Sequence, residues 1–202
     1  MTGDATQLPL WIKIGYTLFV VLLVPVYLRH YGPANFLWFS DVALLGMVPG
    51  LWAESPLIVS TMTLAVVLPE LVWNIDFFGR VIAGRAPFGL AGYMFDSSRP
   101  RFLRALSLFH VALPVVLGGA LARLGYDRRA LLVQTILGTV VLILSYLLTD
   151  PAENTNWVFG PGARPQRRIP PPIYLAVVIV GFPLVVYWPT HLALERLFPI
   201  AH

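Results

Sequence analysis

Six apolar stretches, each bounded by glycine, proline or arginine, constrain this 202-residue chain more than any other feature. The hydrocarbon core of a bilayer takes about 20 mostly apolar residues per helix, and inside it every backbone N–H and C=O must find a partner within the protein. The stretches run from about 12 to 28, 34 to 48, 56 to 80, 102 to 124, 130 to 148 and 172 to 194. The predicted fold class is all-α: a polytopic membrane helix bundle of about six transmembrane helices, one domain over residues 1–202. Only 12% of the residues are charged, about half the share usual in a soluble domain.

The boundaries carry local signals. The second stretch is short and is expected to stop at Pro49-Gly50. Ser55-Pro56 marks the start of the third, since serine caps helices and proline suits the first helical position. The third turns polar late, with Glu70, Asn74 and Asp76, and Asp76 is expected to snorkel to the interface. Residues 88–95, in the loop that follows, are too few to span and are expected to lie in the interface or re-enter. Gly125–Arg129 reads as a tight turn. Met1–Trp11 has no basic start or small-residue cleavage site, so the first stretch reads as a retained helix. Tyr146, Trp157, Tyr174, Tyr187 and Trp188 read as interface aromatics.

Fourteen basic residues set the orientation, and Lys13 is the only lysine. The loops after stretches one, three and five, with the helix start that follows, hold Arg29, Arg80, Arg85, Arg99, Arg101, Arg104, Arg164, Arg167 and Arg168. The other side holds Lys13, Arg123, Arg128, Arg129 and Arg196. The positive-inside rule then makes loops one, three and five cytoplasmic and leaves both termini outside. The expected location is a bacterial inner membrane. Arginines in such loops meet headgroups, so the expected partners are membrane lipids and not nucleic acid. There is no cysteine, which excludes disulfides, thiolate metal sites and thiol nucleophiles. The four histidines lack metal-ligand spacing, and no metal or cofactor is expected.

One ionisable residue stands out. His110 lies inside the fourth stretch, and a charged or polar group there is costly enough to mark a functional site by default. Counting from the arginine-rich side gives it neighbours. Ser40 and Asp41 lie seven and eight residues past Pro33, His110 nine past Arg101, and Glu70 ten before Arg80. At ~1.5 Å per residue all four sit roughly 10–15 Å below one surface. Asn35, Asn74, Asp76, Asn154 and Asn156 fall shallower on that side. Each residue also has a purely structural reading. Buried polar side chains often join helices, and asparagines often cap their ends.

Four sequence features together resemble a known group. They are Asn35-Phe36-Leu37-Trp38-Phe39-Ser40-Asp41-Val42-Ala43-Leu44-Leu45, Phe109-His110 with Pro114, Asn154-Thr155-Asn156-Trp157-Val158-Phe159 followed by Pro165, and Pro170-Pro171-Pro172-Ile173-Tyr174 with Tyr187-Trp188-Pro189. Their order and spacing resemble the six-helix YwaF-type bacterial membrane proteins, the related transmembrane acyltransferases of ether-lipid metabolism and the androgen-induced intramembrane hydrolases. The resemblance implies acyl chemistry on a lipid, with a cysteine or threonine nucleophile and a histidine. The histidine maps to His110. The nucleophile maps to Ser40, where the bacterial and acyltransferase members carry cysteine.

The resulting expectation is a lipid-ester hydrolase or acyltransferase. Ser40 attacks, His110 acts as base and then acid, and Asp41 or Glu70 orients the imidazole. Asn35, Asn74 or Asn156 donates to the oxyanion, and Arg101 and Arg104 hold a phosphate headgroup. Two alternatives stay open. One is a non-catalytic accessory subunit of a membrane complex that binds lipid, pigment or quinone. The other is a proton or ion path through Asp41, Glu70, Asp76 and His110.

Overall fold

The computed structural model describes residues 8–162 and 164–201. The reading of Met1–Trp11 falls partly on residues outside that range. Eight α-helices make up the described chain: α1 (Leu10–Tyr31), α2 (Phe39–Trp52), α3 (Pro56–Ala83), α4 (Arg101–Leu106), α5 (Phe109–Leu124), α6 (Ala130–Leu148), α7 (Pro171–Gly181) and α8 (Trp188–Leu197). α4 and α5 form one span, as do α7 and α8. The chain thus has five helices long and apolar enough to cross a membrane, with α2 as a shorter apolar sixth. It is an all-α, multi-pass membrane protein.

α3 is the centre. Of its apolar window 56% is buried, against 17–33% for the other four spans. Its middle is packed on all sides, from Val59 to Val66. The polar side chains there are satisfied locally: Thr61 donates to the Leu57 carbonyl (2.7 Å) and Thr63 to that of Val59 (2.8 Å), while Ser60 accepts from the Asp127 amide (2.9 Å). α2 lies close against α3 through Gly46 and Gly50. A methyl group at Gly46 would collide with the Met62 sulfur, and one at Gly50 would sit 3.0 Å from Ile58. Two glycines four apart let helix backbones approach in this way.

The ends follow the expected chemistry in part. Ser55 caps α3, its hydroxyl accepting from Ile58 (3.4 Å), with Pro56 in the first turn, and Gly84 ends α3 in a left-handed conformation (φ 66°). α2 departs from expectation at both ends. Pro33–Leu37 forms a separate tight 3₁₀ turn, Trp38 is extended, and the helix proper runs through Pro49 to Trp52. The fourth stretch is also interrupted. At Ser107-Leu108 the bonds tighten to three-residue steps, His110 N to Ser107 O (3.3 Å) and Val111 N to Leu108 O (2.9 Å). Such 3₁₀ turns inside a helix often mark hinges or strained sites. In the last span a π turn, Phe182–Tyr187, separates α7 from α8. It presses Tyr187, 1% exposed, against Gly138 of α6. Tyr187 is therefore a core residue and not an interface aromatic.

Asp76 also departs from expectation. It is fully buried and does not snorkel. Its carboxylate accepts from the backbone amides of Phe88 (2.7 Å), Leu90 and Ala91 (3.4 Å). It thereby folds the loop after α3 back over the bundle, with Ala91 and Met94 packed on Trp73. At the opposite end the C-terminal residues bridge back to Tyr126, and Arg129 binds Asp127 and holds its carboxyl below the usual carboxylate range.

Asp76→Ala removes the carboxylate that accepts from three backbone amides. Hydrogen exchange at Phe88, Leu90 and Ala91 should quicken at least tenfold while the middle of α3 keeps its protection. Unchanged exchange at those three amides would show that the loop is held by something else.

Candidate functional site

The architecture brings the polar faces of α2, α3 and α5 to one cavity of about 550 Å³. Ser40, Asp41, Asn35, Glu70, His110 and Asn156 all line it. Arg101 and Asn74 do not. Tyr27, Trp38, Trp73, Leu90, Tyr93 and Trp157 complete much of the wall, and Arg99 and Glu153 lie at its mouth.

Glu70 and His110 form the core of the site. Glu70 is 2% exposed. Both its oxygens stand 2.9 Å from the same ring nitrogen, His110 Nδ1. An ionised carboxylate can only accept, so this contact calls for the hydrogen on Nδ1. The ring is fixed on both faces. Trp73, one turn along from Glu70, stacks on it at 4.7 Å between centroids, and Phe109 at 4.1 Å.

The backbone around His110 is built by a second device. Pro114 lacks the N–H that would ordinarily bond the His110 carbonyl. Asn74 supplies the missing donor, its side-chain amide reaching the His110 carbonyl at 2.8 Å and the Glu70 carbonyl at 2.8 Å. Asn74 thus ties α3 to α5 directly beside the Glu70–His110 contact, and both its amide hydrogens are used in doing so.

Asn156 is likewise committed. Its side chain accepts from the Phe39 amide (3.0 Å) and donates to the Leu37 carbonyl (2.7 Å) and Ser145 hydroxyl (3.0 Å). It therefore caps α2 from more than a hundred residues away and separates α2 from the preceding turn. The loop that presents it is strained. Asn154, Asn156 and Trp157 all have left-handed φ values of 47°, 51° and 58°, which are uncommon for asparagine and rarer for a bulky side chain. Asn154 holds the loop closed by bonding the carbonyls of Gly160 (2.8 Å) and Gly162 (2.6 Å) and accepting from Phe159 (2.8 Å).

The remaining polar groups divide clearly. Ser40 is half-buried on the cavity wall. Asp41 is 4% exposed and takes one long bond, from Asn35 at 3.4 Å. Ser107 is bonded to the Tyr27 hydroxyl at 2.9 Å. Arg101 is exposed, and Arg104 turns away to the Met94 carbonyl (3.1 Å). The arginine at the mouth is Arg99, over the Tyr93 ring at 5.6 Å. Burial raises the Tyr93 hydroxyl above the usual phenol range. Tyr27, Trp73, Tyr93 and Arg99 are among the lining residues that depth counting does not find. Tyr27, a hydroxyl inside an apolar stretch, was the one detectable in the sequence. Among the described residues no three histidine, aspartate or glutamate side chains group as a metal site.

The chain matches no protein-family model, no curated protein and no solved structure.

Asn74→Leu leaves the His110 carbonyl without a donor. A buried acceptor so orphaned costs about 1–3 kcal/mol, read as a lower midpoint of thermal unfolding in detergent. Adding Pro114→Ala restores a backbone donor and should recover part of the loss. No recovery in the double variant would contradict the assigned partnership.

Proposed function

We propose that the cavity binds a lipid and performs acyl chemistry on it, as an ester hydrolase or acyltransferase. The observation that carries this reading is the buried Glu70 carboxylate astride His110 Nδ1, in a cavity that also presents a serine. A carboxylate bonded to one imidazole nitrogen orients the ring and makes the other nitrogen a general base. In the proposed first step Ser40 Oγ attacks the ester carbonyl and Nε2 of His110 takes the hydroxyl proton. The carbonyl oxygen, now anionic, accepts from the Asn35 amide. Collapse breaks the ester bond, the departing alcohol takes the proton from Nε2, and the acyl group stays on Ser40. Water or a second alcohol then reverses the sequence.

Several features support a lipid as the substrate. The cavity lies within a membrane bundle and its walls are largely aromatic. The Asn74 amide is taken up by two backbone carbonyls and the Asn156 amide by the Leu37 carbonyl and the Ser145 hydroxyl, so Asn35 is the better oxyanion donor of the three. Arg99, rather than Arg101 or Arg104, is placed to meet a phosphate at the mouth. On the charge bias of the loops, that mouth opens to the cytoplasmic side of a bacterial inner membrane.

The stacking of Trp73, His110 and Phe109 favours a second reading. A flat ring would slot into such a wall, as in a non-catalytic accessory subunit that holds a quinone or pigment. Native mass spectrometry of gently solubilised protein separates the two, since a stoichiometric ring ligand without turnover selects the second.

The first reading predicts covalent labelling by a long-chain fluorophosphonate. Ser40→Ala and His110→Ala should abolish it, and Glu70→Gln should slow it by about 10²-fold or more, because the wrong tautomer is then favoured. Labelling that persists in Ser40→Ala removes the mechanism.

A further inference from the structure

Asp41 has no part in that mechanism, yet it is buried in the cavity wall. Its Oδ2 receives the 3.4 Å bond from Asn35, and its Oδ1 has no partner. No ion pair among the described residues includes it: the lysine pairs with Glu54, and Arg99, Arg128 and Arg129 pair with Asp96, Glu195 and Asp127. The other buried carboxyls are filled. Glu70 holds His110, Asp76 holds three amides and Asp127 holds Arg129. Buried polar groups in native proteins are almost always hydrogen-bonded, because an unmet one costs free energy. Among the described residues seven buried side-chain polar atoms lack a partner, and Asp41 Oδ1 is the one carboxylate oxygen among them; it shares the wall of this cavity with one other such atom, Trp73 Nε1.

We propose that Asp41 determines specificity by taking a hydrogen bond from an O–H or N–H group of the ligand. Asp41 follows Ser40 directly, and neighbouring Cα atoms are about 3.8 Å apart. The two side chains point about 100° apart around α2 but line the same cavity, so the donor on the ligand lies to one side of the group facing Ser40. The ligand class is a long-chain lipid with a free hydroxyl or amino group close to its ester linkage, in preference to one whose neighbouring oxygens are all substituted. This deepens the lipid-binding part of the proposed function and is independent of the chemistry at Ser40. A site built to bond a donor rejects analogues that lack it far more strongly than an apolar pocket rejects an extra methyl group.

The test uses the Ser40→Ala protein, so that no turnover intervenes. 1-O-Hexadecylglycerol and its di-O-methyl ether compete for the full chain in native mass spectrometry. Hexadecylamine and hexadecyltrimethylammonium form the second pair. The expected result is at least a tenfold preference for the diol over its ether, for the amine over the quaternary ammonium, or for both. The pair that discriminates names the donor. In Asp41→Leu the preference should fall below twofold. Equal binding within both pairs, or a preference that survives Asp41→Leu, overturns the proposal. Should Asp41→Leu fail to fold, Asp41→Asn serves. It keeps an acceptor oxygen at the same place, so the donor preference should persist, and its loss there overturns the proposal. Fluorophosphonate labelling reports separately on Ser40. Its failure with the donor preference intact would remove the catalytic reading alone.

Discussion

A carboxylate and an imidazole share the interior of this bundle, and much of the surrounding architecture serves their contact. Charges in a low-dielectric medium are expensive to bury and strongly coupled once buried. Glu70 and His110 meet that cost together, with both carboxylate oxygens on one nitrogen. Their register depends on how α3 sits against α5. Asn74 sets that register by bonding the carbonyl that Pro114 frees. Trp73 and Phe109 then remove the ring's remaining freedom. The contact is thus supported by a backbone bond on one side and two aromatic faces on the others.

The two buried carboxyls of the cavity have different surroundings, and this suggests different roles. Both oxygens of Glu70 share one donor on His110, whereas Asp41 has a single long bond to one oxygen and none to the other although only one helix away. In the proposed function this difference divides the labour, with Glu70 orienting the base and Asp41 recognising the ligand. Loop geometry follows the same logic. Asp76 folds one loop over the cavity with three amide bonds, and Asn156 braces the opposite rim at the start of α2.

Much of this was legible in the sequence because it follows from counting. Apolar lengths gave the spans, and residue counts from a shared surface brought Ser40, Asp41, Glu70 and His110 to one depth, where the structure gathers them around one cavity. The Ser55-Pro56 start was legible because capping is local. What escaped was nonlocal. The break before α2 depends on Asn156, and no feature near Leu37 announces it. Asp76 looked like a snorkelling residue because its three amide partners lie in a loop whose fold no short-range signal specifies. The close packing of Gly46 and Gly50 on α3 is written in the chain as a small-residue spacing. Tyr187 was misplaced because a π turn, not a straight helix, rotates it into the core.

The most direct test of the central claim reads the hydrogen on His110. Histidine labelled with ¹⁵N, in protein reconstituted in bilayers, gives solid-state NMR signals for each ring nitrogen, and His110→Gln identifies the pair that belongs to residue 110. The account predicts a protonated, strongly hydrogen-bonded Nδ1 whose signal shifts clearly in Glu70→Gln, while the signals of His30 and His191 stay in place. Signals from His110 that are the same with and without the Glu70 carboxylate would contradict it.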